Sequence, residues 1–246
     1  MLSKSLLRAT ILGLAPFAGV LFASGCSHLI RTPWRNEPIR NEVNLAFTLE
    51  RNLIRLPSIR IDNHDGRFIL GTASQRTIVD ASFPLTASSA HALEMGDRET
   101  VRIDPRRIDL AGAADGIVGV EAWSAHAITI DYHVGVVTYQ KDGIHPAYMQ
   151  LYSFSGEPMI NLNVDGQTLS AIVDTTVPDT LLLPGANGTR GRAHVVVGTT
   201  DFGAIDVGYA NVARPRVGNR LLSRFLVSID YGRRVVGLWR DPRIPL

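Results

Sequence analysis

The sequence lacks the residues that several functional classes require. It has one cysteine in 246 residues, so it forms no internal disulfide and has no cysteine cluster for zinc or an iron–sulfur centre. Its seven histidines show no metal-ligand spacing and no His-Glu-x-x-His motif. The Gly-x-Ser-x-Gly element of serine hydrolases is also missing. We therefore expect no bound metal and no cofactor.

The chain also lacks an excess of charge of one sign. Its formal net charge is +2, and residues 1–25 contain two cations, Lys4 and Arg8, and no acid. The remainder is therefore neutral (+2 − 2 = 0), which gives no electrostatic reason to expect a nucleic-acid partner. The 221 residues that follow position 25 (246 − 25) can bury a core without disulfides and fit one large or two small domains.

Residues 1–25 have the pattern of an export signal. The two cations precede an apolar stretch over residues 11–23, which Pro16 interrupts and which is too short for a membrane-spanning helix. The sequence Ala-Ser-Gly-Cys at residues 23–26 resembles the lipobox of bacterial lipoproteins. This resemblance implies lipidation of Cys26, a membrane partner through that lipid, and the periplasmic face of the outer membrane, because Ser27 follows the cysteine. An ordinary secretory signal with an incidental cysteine is the alternative.

Short β-strands dominate the rest of the chain after a predicted tether over residues 26–45. The segments Ser58–Ile61 and Met159–Val164 alternate apolar and polar residues, and each leads into an Asp-Gly turn, at residues 65–66 and 165–166. The sequence predicts a mostly β protein with short helices over residues 88–95, 121–124 and 221–224.

The chain contains an internal repeat. In each copy a glycine, Gly119 or Gly218, is followed 13 residues later by the tyrosine of an Ile-Asp-Tyr segment, and the offset between the copies is 99 residues (218 − 119). Upstream, residues 57–61 resemble residues 158–162 at an offset of 101 (158 − 57). These spacings predict two tandem copies of one β unit, residues 46–142 and 157–246, joined near residues 143–156.

An acid stands at the end of an apolar strand in the second copy. The segment Asp174-Thr175-Thr176 precedes a second apolar run, Thr180–Leu183, and the later segments Gly116–Gly119 and Arg216–Gly218 end in the repeated glycine. Together these parts, over about residues 46–242, resemble the pepsin/retropepsin superfamily of aspartic proteases. The resemblance implies a bilobal aspartic-protease-like β-barrel of two repeated lobes, with Asp174 as a catalytic-type acid. Thr176 stands where the family has glycine and adds a branched side chain where the two acid turns would meet.

The position of a partner acid depends on how the two copies are aligned. One alignment matches Thr72 with Thr175 and puts Gly71 at the acid position. A rival alignment matches Thr77–Pro84 with Ala171–Pro178 and makes Asp80 the partner. The first keeps the preceding hairpin closer in length, with 14 residues from Pro57 to Gly71 against 16 from Pro158 to Asp174, whereas Asp80 needs 23. We therefore favour a degenerate acid position at Gly71 and Thr72.

Two functions follow from these alternatives. Two carboxylates that share a proton are required for the aspartic-protease mechanism, and a lone Asp174 lacks that neighbour. With Gly71 at the acid position, we expect a catalytically impaired protein that binds an extended peptide or protein segment in the cleft between the lobes. With Asp80 or another acid as the partner of Asp174, we expect an active endopeptidase of the cell envelope. Asp174 can also be read as a purely structural acid, hydrogen-bonded by its own turn.

Overall fold

Strands make up most of the described chain, as the sequence predicts. The computed structural model describes residues 42–96, 99–143 and 148–242, so the predicted signal, Cys26 and residues 26–41 of the tether lie outside it. No helix among the described residues is long and apolar enough to span a membrane.

The strands of the first half are β1 (Glu42–Ala46), β2 (Thr48–Glu50), β3 (Leu53–Arg55), β4 (Ile59–Ile61), β5 (His64–Asp65), β6 (Phe68–Leu70), β7 (Ile78–Asp80), β8 (His91–Met95), β9 (Glu99–Ile103), β10 (Arg106–Ile108), β11 (Gly116–Val118), β12 (Ala127–Asp131) and β13 (Val136–Gln140). Those of the second half are β14 (Gln150–Ser153), β15 (Met159–Val164), β16 (Gln167–Val173), β17 (Leu181–Pro184), β18 (Arg190–Val197), β19 (Thr200–Ala210), β20 (Arg216–Val217), β21 (Leu226–Asp230) and β22 (Val235–Trp239). The first strand therefore begins inside the predicted tether, and β14 lies within the predicted junction.

The two halves share one strand arrangement. In the first half, β11 pairs parallel with β6 and antiparallel with β7, and β10 pairs parallel with β7. In the second half, β20 pairs parallel with β16 and antiparallel with β17, and β19 pairs parallel with β17. The second half closes into a six-stranded barrel, β15-β16-β20-β17-β19-β18, whereas the first half forms two sheets, β10-β7-β11-β6-β3-β2 and β5-β4-β8-β9. The repeat seen in the sequence thus extends to strand pairing.

A sheet shared by both halves joins them. Its order is β1-β13-β12-β21-β22-β14, so each half contributes three strands. At its centre Thr129 lies opposite Ser228, and their hydroxyl oxygens are 2.7 Å apart. These two residues differ by the repeat offset of 99 (228 − 129), so each faces its own counterpart and an approximate two-fold axis passes between them. One buried apolar core runs through both halves.

The late glycines of the repeat allow close backbone packing. A Cβ atom on Gly119 would lie 2.3 Å from the carbonyl oxygen of Arg76, and one on Gly218 would lie 2.3 Å from that of Asp179. Real Cβ atoms do not approach backbone this closely, so both positions require glycine. Each glycine leads into a short helix, a 3₁₀ turn over Val120–Ala122 and α1 over Asn219–Leu222. These helices lie within two residues of the predicted starts.

The predicted helix over residues 88–95 is wrong. Residues His91–Met95 form β8, which pairs antiparallel with β4 and β9. The side chains of His91, Leu93 and Met95 are buried and those between them are partly exposed. This period of two is that of a strand, and pairing on both sides outweighs local helix propensity.

The hairpin turns correct the predicted register of the first half. Asp165 and Gly166 form the second-half turn with positive φ, as predicted. In the first half the turn is formed by Asp62 and Asn63, with φ values of 50° and 64°, and not by residues 65–66. The counterparts are therefore 103 residues apart (165 − 62), so the predicted offset of 101 is short by two. The carboxylate of Asp62 holds this turn, since it accepts a hydrogen bond from the amide of Ala92 and contacts His91.

Stability should fall in acid because of Asp62. Burial opposes its ionisation, but hydrogen bonds with His91, the Ala92 amide and Thr86 outweigh burial and lower the pKa of Asp62 from 3.8 to about 2. A folded-state pKa below the unfolded value gives stability that is present above about pH 4 and lost as the pH falls toward 2. The shift corresponds to about 2 kcal/mol.

The measurement is the free energy of unfolding by denaturant between pH 5 and pH 2. Wild type should lose about 2 kcal/mol more over this range than Asp62→Asn. The matched control is Asp65→Asn, an exposed acid in the same hairpin, which should keep the wild-type slope. Equal slopes for wild type and Asp62→Asn would contradict the prediction.

Candidate functional site

Gly71 occupies the place in the first half that Asp174 occupies in the second. The amide of Asp174 donates to the carbonyl oxygen of Val217 at 3.0 Å, and the amide of Gly71 donates to that of Val118 at 2.9 Å. The two acceptors are repeat counterparts, 99 residues apart (217 − 118). The spacing from the hairpin turns agrees, because both Gly71 and Asp174 lie nine residues after the first turn residue (71 − 62 and 174 − 165).

Asp80 lies at the other end of β11 from Gly71. Its amide donates to the carbonyl oxygen of Asp115, whereas that of Gly71 reaches Val118, so about 10 Å of strand separates them. The carboxylate of Asp80 accepts hydrogen bonds from the hydroxyl and amide of Ser82 and from the amide of Leu110. The hydrogen bond from the Ser82 hydroxyl is the main reason that the pKa of Asp80 falls to about 2. Asp80 therefore fastens a loop and does not face Asp174.

Thr72 and Thr175 hold the two acid positions together. The amide of each donates to the hydroxyl oxygen of the other, at 3.2 Å for Thr72 and 3.1 Å for Thr175. Each hydroxyl then donates across the interface, from Thr72 to the carbonyl oxygen of Val173 at 2.7 Å and from Thr175 to that of Leu70 at 2.6 Å. Both threonines have no exposed surface. The exchange is symmetric, so the two-fold relation of the central sheet also holds at the candidate site.

Two tyrosines from the Ile-Asp-Tyr segments support this threonine pair. The hydroxyl of Tyr231 donates to the carbonyl oxygen of Thr72 at 3.0 Å. The hydroxyl of Tyr132 donates to the side chain of Asn219 at 2.8 Å, and the Asn219 amide donates to the carbonyl oxygen of Thr175 at 2.6 Å. Burial raises the pKa of both tyrosines, and the negative charge of Asp174 raises that of Tyr231 further. Both phenols therefore stay protonated and can donate.

The carboxylate of Asp174 is buried and paired with a cation. One oxygen accepts hydrogen bonds from the amide of Thr176 at 2.9 Å and from its hydroxyl at 2.6 Å. The other oxygen accepts a short hydrogen bond from Nη1 of Arg216. The side chain of Asp174 is 2% exposed, whereas that of Arg216 is 31% exposed. Arg216 thus lies between the acid and solvent, and Thr176 fits at the glycine position by bonding to the acid itself.

The first half has an apolar residue where the second has this arginine. Ile117 is the counterpart of Arg216 (216 − 117 = 99), and its Cγ2 lies 2.6 Å from where a Cβ on Gly71 would be. An aspartate at position 71 would therefore require Ile117 to move. The sequence prediction assigns Arg216 only to the late glycine segment and misses its role as the partner of Asp174. The available signal is a cation where the other copy has isoleucine.

This geometry limits the chemistry of the site. A two-acid mechanism needs a second carboxylate beside the first, and the residue of the first half that is equivalent to Asp174 is a glycine. A buried carboxylate neutralised by arginine is also a poor general base, because it neither reaches solvent nor shares a proton. Within the described ranges, no three His, Cys, Asp or Glu side chains lie together in a way that could hold a metal ion. The acids Asp131 and Asp230 of the Ile-Asp-Tyr segments accept hydrogen bonds from turn amides.

Removing one threonine hydroxyl should destabilise the whole interface between the halves. Thr72→Val leaves the amide of Thr175 and the carbonyl oxygen of Val173 buried without partners, which costs about 2–4 kcal/mol of unfolding free energy. The double variant Thr72→Val/Thr175→Val should cost at least about 1 kcal/mol less than the sum of the single variants, because both remove one network. The control is Thr100→Val, at an exposed position of β9, which should change the free energy of unfolding by less than about 0.5 kcal/mol. Additive single effects in denaturant titrations would contradict the prediction.

Removing the cation should be costly unless the acid is neutralised with it. Arg216→Leu leaves the buried carboxyl group of Asp174 without its ion-pair partner, with an expected loss of about 3 kcal/mol. Adding Asp174→Asn should recover most of this loss, since the amide oxygen can still accept from Thr176. Arg224→Leu, an exposed arginine two residues after α1, is the matched control and should change little. Failure of Asp174→Asn to improve Arg216→Leu would contradict the ion-pair account.

Comparison with known proteins gives no relative from which a function could be taken. No protein-family model matches the sequence, and no curated protein matches it. The chemistry of the site therefore has to be judged from its own residues. These are a buried acid paired with arginine, a glycine at the equivalent position of the first half, and two threonines that form hydrogen bonds between the halves.

Proposed function

We propose that this chain is an aspartic-protease-like protein of two tandem lobes that binds an extended peptide without cleaving it. The repeated strand arrangement, the shared six-stranded sheet and the two-fold exchange of Thr72 and Thr175 support the bilobal fold. In this interpretation the candidate site lies at the floor of a cleft between the lobes, where the two acid turns of such a fold meet.

The proposed loss of catalysis rests on one observation, the glycine at the first-half position equivalent to Asp174. Gly71 and Asp174 make the same backbone hydrogen bond in their respective halves, which supports a missing second carboxylate over a displaced one. Losing one member of an acid–base pair costs about 10²–10⁴ in rate, and more when the groups act as a unit. The Arg216 ion pair supports the same conclusion, since it occupies the remaining acid.

Two other ways of giving Asp174 a second catalytic acid lack support. Asp80 is about 10 Å of strand away from Gly71 and bonds its own loop. A homodimer would have to bring together two copies of Asp174 across a new two-fold axis. In this chain Thr175 is already bonded to Thr72, so the position on the two-fold axis is filled by the chain's own first half.

Binding is supported by the face on which Gly71 lies. Ile69 precedes Gly71 by two residues and therefore points to the same side of β6, and Ile117 and Ile78 lie beside it on β11 and β7. These three isoleucines are only partly buried, so they form an apolar row next to the site. An extended peptide could place alternate side chains on this row while its backbone pairs with a strand edge.

The test combines cleavage and binding on the full-length chain. A mixed peptide library incubated from pH 4 to pH 8 should show no cleavage by mass spectrometry, while selection from a random peptide display library should yield binders. Ile117→Lys should weaken selected peptides at least about 10-fold, because it puts a charge into the apolar row. Val134→Lys, at an exposed turn, is the control and should leave binding unchanged.

Two results would overturn the proposal. Cleavage that disappears in Asp174→Asn would establish an active endopeptidase. Absence of any selected peptide, or equal binding by wild type and Ile117→Lys, would remove the binding function.

The cell-envelope location belongs to the same proposal and rests on the sequence alone. Cys26 and the residues before it lie outside the described part of the chain. If Cys26 carries lipid, Cys26→Ser should move the protein from the membrane to the soluble fraction. Unchanged fractionation would remove the anchor from the proposal.

A further inference from the structure

A second feature of the Gly71 face is a pocket lined by arginines. It has a volume of about 300 Å³ and lies between β3, β6 and the loop over residues 112–114. Its apolar wall includes Leu53 and Ile69, and its charged wall includes Arg51, Arg55 and Arg67 with a single acid, Glu50. Three cations and one anion give the lining a formal charge of +2 (3 − 1), which favours an anionic ligand.

The hydrogen bonds of Arg55 leave a defined part of its guanidinium for a ligand. Its Nη1 is paired with Glu50 at 2.5 Å. Its Nε is buried and has no hydrogen-bond partner among the described residues. Nε is therefore closed to a ligand, and since the side chain is 33% exposed and lines the pocket, the Nη groups are the part of the guanidinium that a ligand can reach. Guanidinium N–H groups form charge-assisted hydrogen bonds with the oxygens of a carboxylate.

Arg67 adds a second cation that is already oriented. Its Nη2 donates to the carbonyl oxygen of Gly112 at 3.0 Å and lies 3.4 Å from Asp115. Asp115 does not line the pocket, and including it leaves a net positive charge of +1 (2 − 1). Arg51 lies at the β2–β3 turn with a φ of 51° and is exposed at the rim. The cations thus surround an opening with an apolar floor.

The pocket begins at Ile69, which lies two residues before Gly71 on the same face of the strand. Arg55 is directly opposite Ile69 across β3 and β6, and Ile69 is two residues before Gly71 on the same face. Two residues of strand span about 7 Å, which is also the spacing of side chains i and i+2 in an extended peptide. A peptide that crosses above Gly71 could therefore place a neighbouring alternate side chain into the pocket.

We propose that this pocket binds the carboxylate of an acidic side chain, Asp or Glu, of an extended peptide held beside Gly71. The inference rests on the proposed peptide-binding function and specifies its ligand class. The carboxylate pairs with the Nη groups of Arg55, Arg67 contributes charge, and the methylene groups pack on Leu53 and Ile69. The same chemistry would accept a small free dicarboxylate, and the experiment separates these two sources.

The experiment compares peptides selected on the wild-type chain with those selected on Arg55→Gln. Wild type should enrich Asp or Glu at one fixed position, and replacing that residue by its amide should weaken binding about 10-fold or more. Arg55→Gln should lose this enrichment and bind the acidic and amide peptides equally. Arg51→Gln, at the exposed rim, should weaken the acidic peptide several-fold. The matched control is Arg102→Gln, at an exposed position of β9, which should keep the wild-type enrichment and peptide affinity.

The outcomes separate this inference from the function on which it rests. Peptides selected without acidic enrichment, or with enrichment that survives in Arg55→Gln, would overturn the arginine pocket and keep the peptide-binding function. No selected peptides at all would overturn the peptide-binding function and, with it, the acidic peptide as ligand of the pocket. Glutarate serves as the small-molecule probe: competition with the acidic peptide that is lost in Arg55→Gln supports the pocket. Glutarate binding without any peptide binding assigns a free carboxylate as ligand and overturns the peptide version.

Discussion

The reciprocal hydrogen bonding of Thr72 and Thr175 is the constraint on which the rest of the site depends. Each buried hydroxyl accepts from the opposite amide and donates to a carbonyl oxygen of the opposite half, so four backbone groups are satisfied by two side chains. Buried backbone groups without partners are costly, so neither half can shift without losing these bonds. The residues before each threonine, Gly71 and Asp174, are therefore brought to equivalent positions.

The electrostatics of Asp174 follow from this placement. A carboxylate held at a buried interface needs either a second acid with which to share a proton or a compensating cation. Here Gly71 removes the first solution and Arg216 provides the second. The first half has no carboxylate at this position and needs no cation, and the side chain of Ile117 fills the space beside Gly71. The two halves thus keep one backbone arrangement and differ in charge, and this difference favours binding over hydrolysis in our proposal.

The strands and the repeat could be predicted from the sequence, because period-two alternation and glycine spacing are local properties. Sequence reasoning placed the first-half hairpin turn at residues 65–66, whereas Asp62 and Asn63 form it, because the interactions that hold the turn come from β8, 30 residues away along the chain. It assigned a helix to residues 88–95, whose burial on one face is decided by pairing with β4 and β9. The partner of Asp174 was missed for a related reason. Arg216 is 42 residues from Asp174, and only the parallel pairing of β16 with β20 brings them together.

The sequence alone determined the mostly β character, the tandem repeat and the acid at the end of an apolar strand. These features are encoded in residue type and spacing, so they can be read without coordinates. Only the tertiary structure shows that the amide of Gly71 bonds Val118 and that of Asp80 bonds Asp115 across β11, which favours Gly71 as the equivalent of Asp174. It also decided that the acid is paired with arginine, and that three arginines meet around a pocket beside Gly71. Such meetings depend on strand register, and register is set by packing over the whole sheet.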